Sequence, residues 1–114
     1  MFRVMMKSKI HNATVTESNL KYEGSITIDL SLLKASDILP GEKVHIVNLN
    51  NGSRIETYVF EGKANSGVIC MNGAAAHLIK KGEEIIVMGF ELTDKPIKPK
   101  NILVDKNNKF VRYL

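Results

Sequence analysis

No apolar run in this 114-residue chain outlasts a strand: even Ile85 to Met88 spans only four residues. A chain so divided has no segment for a membrane-crossing helix and must gather its core from many short elements. β-Branched and apolar stretches predict strands over Phe2 to Ile10, Ala13 to Thr16, Ser25 to Ile28, Val44 to Leu49, Ile55 to Phe60, Glu84 to Leu92 and Ile102 to Val104. Asn107-Asn108 is expected to turn the chain into a last short strand. Between two of the strands lies Asn50-Asn51-Gly52, where Asn-Gly supplies the positive φ angles of a tight hairpin turn. Two helices are predicted. One is capped by Asp29, has Leu30, Leu33 and Ala35 to Ile38 on its apolar side, and stops at Pro40-Gly41. The other runs from Gly73 to Lys81 with Asn72 as its cap and Gly82 as its terminator.

With 44% hydrophobic residues the chain has apolar material for one modest core, so residues 1–114 are expected to form a single domain. Short strands with few long connections point to a small β-barrel of mixed strand direction; an open antiparallel sheet carrying two helices is the alternative. Arg3, Lys7 and Lys9 interrupt what would otherwise pass for a signal sequence, and the expectation is a soluble, cytoplasmic protein without membrane contact.

The net charge of +4 raises the question of a nucleic-acid partner. Residues 94–114 hold Lys95, Lys98, Lys100, Lys106, Lys109 and Arg112 against Asp94 and Asp105, which leaves the first 93 residues balanced. Grooves that follow a phosphate backbone interleave basic residues with stacking aromatics, whereas here aromatics are 6% and tryptophan is absent. A solvated basic tail is the better reading, and no nucleic-acid partner is expected. The single cysteine, Cys70, lies in the apolar run Val68 to Met71 and reads as a buried, inert thiol. His11, His45 and His77 have no metal-ligand spacing, so no metal is expected. Neither a phosphate-cradling glycine loop nor a serine elbow is present.

Three local features carry possible chemistry. In Gly24-Ser25 a hydroxyl follows an unhindered carbonyl that it can attack, and glycine tolerates the strained conformations such attack favours. Asn72-Gly73-Ala74-Ala75-Ala76 opens a predicted helix with residues too small to screen their backbone N–H groups, which suits either an anion or a close helix-to-barrel contact. Along the strand after the hairpin, Arg54, Glu56, Tyr58 and Phe60 share one face and Ile55, Thr57 and Val59 the other. Arg54 and Tyr58 then point together, either as a carboxylate grip beside a proton donor or as a surface arginine over a half-buried tyrosine.

Lys9, Tyr22-Glu23-Gly24-Ser25, Asn51-Gly52-Ser53-Arg54-Ile55-Glu56-Thr57-Tyr58 and Asn72-Gly73-Ala74-Ala75-Ala76-His77 together resemble the bacterial aspartate 1-decarboxylases, in the same order over nearly the whole chain, Ile102 to Asp105 included. The resemblance implies a small six-stranded double-psi β-barrel with short helices, and a homotetramer with active sites between subunits. It also implies a pyruvoyl cofactor made from Ser25 in place of pyridoxal phosphate, with no metal. The precursor is expected to cut itself between Gly24 and Ser25 into chains 1–24 and 25–114, with Thr57 and Asn72 assisting and with room for a maturation factor. The mature enzyme is then expected to convert L-aspartate to β-alanine and carbon dioxide for pantothenate synthesis, through a Schiff base between the substrate amine and the group derived from Ser25. The resemblance casts Tyr58 as proton donor, Lys9, Arg54, Thr57, Gly73, Ala74 and Ala75 as substrate-binding residues, and Tyr22 as pocket wall. Val47 departs from members that carry tryptophan there. Because Thr57 alternates away from Arg54 and Tyr58, all three can serve one site only through a bulge or across a subunit boundary. Two rival readings stand beside this one: a non-catalytic basic barrel that binds nucleic acid or protein, and a processed decarboxylase for another acidic substrate.

Overall fold

Strand alternation sorts the chain into a core face and an outer face. In the computed structural model, which describes residues 1–114, the elements are β1 (Arg3–Thr14), β2 (Glu17–Asn19), β3 (Ser25–Asp29), α1 (Leu30–Ser36), β4 (Lys43–Asn48), β5 (Arg54–Gly62), β6 (Ile69–Asn72), a 3-10 turn (Gly73–His77), β7 (Glu84–Thr93), β8 (Lys100–Val104) and β9 (Phe110–Tyr113). They form one sheet in the order β2-β6-β3-β5-β4-β7-β1-β8-β9. β2 continues β1 through Val15 and Thr16, whose N–H groups donate to Glu83 O (2.9 Å) and Ile69 O (2.8 Å). The two ends of the order β2-β6-β3-β5-β4-β7-β1 are therefore halves of one bent strand, and six strands ring the core.

Ile10, Ile26, Ile28, Ile46, Val59, Ile69, Met71, Ile85 and Val87 fill that ring, each at 0% exposure. Parallel pairs (β1 with β8, β2 with β6, β3 with β5) mix with antiparallel ones. The mainly β, mixed-direction barrel expected from the sequence is what forms, and the open antiparallel sheet with two helices is not. No helix is long and apolar enough to cross a membrane.

Several local expectations need correction. β1 is one strand across Asn12, which takes φ 67° at a register shift, where two separate stretches were expected. α1 ends at Asp37 rather than at Pro40-Gly41: Asp37 adopts a left-handed conformation, and the N–H groups of Asp37 and Ile38 close onto Lys34 O and Leu33 O. The hairpin turn is wider than expected, with Gly52 N–H donating to Asn48 O, and only Gly52 has positive φ. Asn51 instead accepts from Ser53 N and donates to Leu78 O. The basic C-terminal segment is no solvated tail, since it supplies β8 and β9 and Tyr113 Oη donates to Ala35 O.

The Asp29 cap does more than start α1. Its carboxylate, fully buried, accepts from Ser31 N and Oγ, from Asn65 N and from Gly67 N, tying β3 to the loop that leads into β6. Burial pushes the carboxyl up, but the Ser31 hydroxyl and the three backbone N–H groups outweigh it, and Asp29 titrates below its ordinary value. A carboxyl lowered in the folded state contributes stability in full above its unfolded value, about 3.9, and loses it as pH falls through the lower folded value. Asp29→Asn is expected to lower unfolding stability by about 2–3 kcal/mol at neutral pH. Denaturant midpoints measured from pH 7 down to pH 3 should show the gap between wild type and variant closing only below about pH 4.

Candidate functional site

β3 and β6 pair antiparallel with Ser25 opposite Asn72 and Thr27 opposite Cys70. Ile26, Ile28, Ile69 and Met71 take the core side, so these four shorter side chains share the other face of the ladder. There Asn72 Nδ2 donates to Ser25 Oγ (3.0 Å) and to Thr27 Oγ1 (3.1 Å), and Cys70 Sγ lies 3.2 Å from Asn72 Oδ1 as donor. Ser25 is fully buried although Gly24 before it is exposed, so one peptide bond passes from solvent to interior.

The predicted helix at Asn72 does not form. Asn72 makes no capping hydrogen bond because its side chain is engaged across the sheet, and the chain continues as the five-residue 3-10 turn Gly73–His77 rather than a helix to Lys81. Without a sustained helix there is no helix-dipole anion site. What remains is close approach. Gly73 sits at φ +69°, and a Cβ there would lie 2.7 Å from both the nitrogen and Cα of Gly24 and 2.8 Å from Tyr22 O. Glycine is required at 73 on two counts, its conformation and the backbone pressed against it. Gly24 is different: its φ is outside the left-handed region, and a Cβ would meet only Asn72 O at 4.0 Å. The strain anticipated at Gly24 is absent. An unhindered carbonyl is what glycine leaves there.

Two clefts flank this step. One, of about 290 Å³, is lined by Gly24, Thr57, Ala74 and Ala75, with Ile55, Glu56 and Leu78 completing it. The other, of about 430 Å³, holds Ser25, Thr27, Cys70 and Asn72 under Tyr22 and Phe60. Within one chain the fold thus brings together Tyr22, Gly24, Ser25, Thr57, Asn72, Gly73, Ala74 and Ala75 of the residues singled out in the sequence. Thr27 and Cys70 join them unforeseen, although alternation from Ser25 and Asn72 would have put both on this face.

Lys9, Arg54 and Tyr58 line neither of these clefts, although Tyr58 shares a third with Thr57, Lys43 and Glu56. β5 shows no register shift in either ladder, so Thr57 turns inward while Arg54 and Tyr58 turn outward, and the bulge that would reunite them is not formed. Lys9 pairs with Met88, Met88 with His45 and His45 with Glu56, while Arg54 pairs with Val47 and Val47 with Ile86. These residues share one continuous outer face over β1, β7, β4 and β5. Tyr58, opposite Lys43 on the same face, is 41% exposed and packs edge-on against Phe60. Glu56, the acid nearest Arg54 along the strand face, is already paired with Lys43 (3.1 Å) and His45 (3.2 Å), and the Lys43 hydrogen bond and charge hold its carboxyl below the ordinary value. The remaining ion pair joins Lys7 to Glu42, so Lys9 and Arg54 carry uncompensated charge. Next to Lys9, Asn101 Oδ1 and His11 Nδ1 are buried without partners.

Cys70 is buried as expected, and burial together with the Glu17 charge pushes its thiol up, keeping it protonated. No group of three metal-ligating side chains occurs in the chain.

The profile of the Aspartate decarboxylase family matches residues 1–111. A protein from Desulfitobacterium hafniense named Aspartate 1-decarboxylase is 56% identical, covering 98% of this chain and 91% of its own. One of the same name from Neisseria meningitidis is 56% identical, covering 96% of this chain and 89% of its own. Among solved structures, the computationally designed msDPBB_sym2 protein aligns at a TM-score of 0.47 and 14% identity, covering 78% of this chain and 99% of that one.

Proposed function

This chain belongs to the aspartate decarboxylase family and acts as an L-aspartate decarboxylase of the pyruvoyl type, forming β-alanine for pantothenate synthesis; we propose that it makes its own cofactor at Ser25 and completes each active site with a second copy of itself. The observation that carries the proposal is the Gly24-Ser25 step itself, an open carbonyl followed by a buried hydroxyl held by Asn72 and crowded from behind by Gly73.

The residues present fit a cofactor made in place. Ser25 Oγ bonds to the Gly24 carbonyl carbon, the carbon–nitrogen bond breaks, and the hydroxyl proton passes to the nitrogen of Ser25, leaving an ester and a free amine. Loss of the Ser25 α-proton with cleavage of the Cβ–oxygen bond releases the Gly24 carboxylate, and uptake of water with loss of ammonia leaves a ketone at position 25. The products are chains 1–24 and 25–114. Asn72 Nδ2 favours charge growing on Oγ, and Thr57 stands in the cleft on the Gly24 side. A pyruvoyl group supplies an electron sink for the carbanion left when carbon dioxide departs.

Arg54 and Lys9, uncompensated on the outer face, are assigned to the substrate carboxylates, and Tyr58 to returning a proton to the α-carbon. Ala74 and Ala75 line the cleft beside Gly24, Gly73 packs its backbone against Gly24, and Tyr22 lines the neighbouring cleft that holds Ser25. Because Lys9, Arg54 and Tyr58 line neither cleft at the Gly24-Ser25 step of their own chain, although Glu56 and Phe60 of the same strand face reach its edges, a homotetramer with sites between subunits would join them. We place the enzyme in the cytoplasm.

Intact mass of the purified protein is expected to give two chains divided between Gly24 and Ser25, with β-alanine formed from aspartate and little product from glutamate. A single uncut chain that binds oligonucleotides in a salt-dependent way would instead favour the non-catalytic barrel.

A further inference from the structure

The amide of Asn72 has two ends of nearly equal shape, and which end faces Ser25 decides what it does. Turned with Nδ2 toward Ser25, it stabilises negative charge on Oγ as the proton leaves; turned with Oδ1 toward Ser25, it would stabilise the protonated hydroxyl and oppose attack. The Ser25 and Thr27 hydroxyls cannot choose between these arrangements, since each both donates and accepts. Cys70 can. A neutral thiol is a weak donor and a weaker match for an N–H, and of the two oxygens within reach of its one proton, Asn72 Oδ1 at 3.2 Å is nearer than Met71 O at 3.9 Å.

We propose that Cys70, with Thr27 opposite it, is a positioning residue for self-processing: its S–H holds Asn72 Oδ1, so that Nδ2 is presented to Ser25 Oγ. The placement is built into the ladder. Ser25 faces Asn72 and Thr27 faces Cys70, so the four side chains form a square on one sheet face. Cys70 is 6% exposed and Asn72 5%, so water offers little competition for the thiol hydrogen bond. Thr27 Oγ1 takes the second Nδ2 hydrogen at 3.1 Å, which leaves both ends of the amide occupied. The thiol that reads as inert in the sequence thereby acquires a role, one that acts through Asn72 and never touches the reacting atoms.

This inference rests on the self-processing reading, and its test separates the two. Freshly synthesised chains are followed by denaturing electrophoresis as the precursor disappears. Cys70→Val, close in size but without a donor, is expected to cut about fivefold more slowly, the equivalent of one neutral hydrogen bond near 1 kcal/mol. Cys70→Ser, which restores a donor, is expected to stay within about twofold of wild type. A second readout uses an intact cysteine. In the uncut Ser25→Ala protein the single S–H Raman band belongs to Cys70, and adding Asn72→Ala is expected to shift it to higher frequency as the hydrogen bond is lost. Unchanged cutting in Cys70→Val, equal slowing in Cys70→Ser, or an unmoved S–H band would overturn the clamp while leaving self-processing intact. A wild-type chain that never divides would overturn both.

Discussion

Ser25→Ala is expected to remain one chain of 114 residues and to form no β-alanine. The substitution removes a single oxygen, so the expected loss is chemical rather than structural. Ser25 Oγ makes one hydrogen bond, to Asn72 Nδ2, and the neighbouring Ile26 and Ile28 anchor β3 in the core independently of it. An unpartnered Nδ2 hydrogen costs about 1–3 kcal/mol, partly offset because Thr27 Oγ1 still accepts from the same group. The variant should therefore fold and assemble. Without Oγ there is no nucleophile to move the Gly24 acyl group and no oxygen to eliminate, so no ketone forms. Decarboxylation without an electron sink falls back toward the uncatalysed rate, a loss on the order of 10⁶-fold or more. Denaturing electrophoresis, intact mass and a β-alanine assay read all three consequences. β-Alanine at the wild-type rate from an uncut Ser25→Ala chain would remove Ser25 as the cofactor's source.

What the sequence displayed and what it hid follow from where each element takes its order. α1 was legible because its cap is local, Asp29 bonding Ser31 two residues on. The helix from Gly73 to Lys81 was legible in composition and wrong, because Asn72 serves residues 45 and 47 positions away instead of its own helix end. β2, with Glu17, Ser18 and Asn19, has no strand composition at all and is extended only because β6 lies beside it. The C-terminal basic residues read as a tail for a similar reason: nothing local reveals that β8 will add in parallel to β1, about ninety residues earlier. At the site, alternation correctly separated Thr57 from Arg54 and Tyr58. The crowding of Gly73 against Gly24 was invisible, since it depends on two loops meeting.

That separation leads to the prediction with the sharpest contrast. Ser25→Ala and Arg54→Ala chains, each inactive alone, are expected to recover β-alanine formation when they are made together. The reason lies in the division of labour over the surface of one subunit. A Ser25→Ala chain keeps an intact outer face with Lys9, Arg54 and Tyr58, and an Arg54→Ala chain keeps an intact Gly24-Ser25 step with Thr57, Asn72 and Gly73. If each site is built from the outer face of one copy and the step of another, mixed assemblies contain some sites in which both halves are whole. If instead one chain supplied every residue of a site, every site would lack either the cofactor or its arginine, and mixing would restore nothing. Arg54 is suited to the experiment because it forms no ion pair within the chain and is exposed on β5, so truncating it costs the fold little. The same mixture made after each variant has assembled separately should stay inactive until subunits exchange, which ties recovery to the shared interface rather than to contaminating wild type.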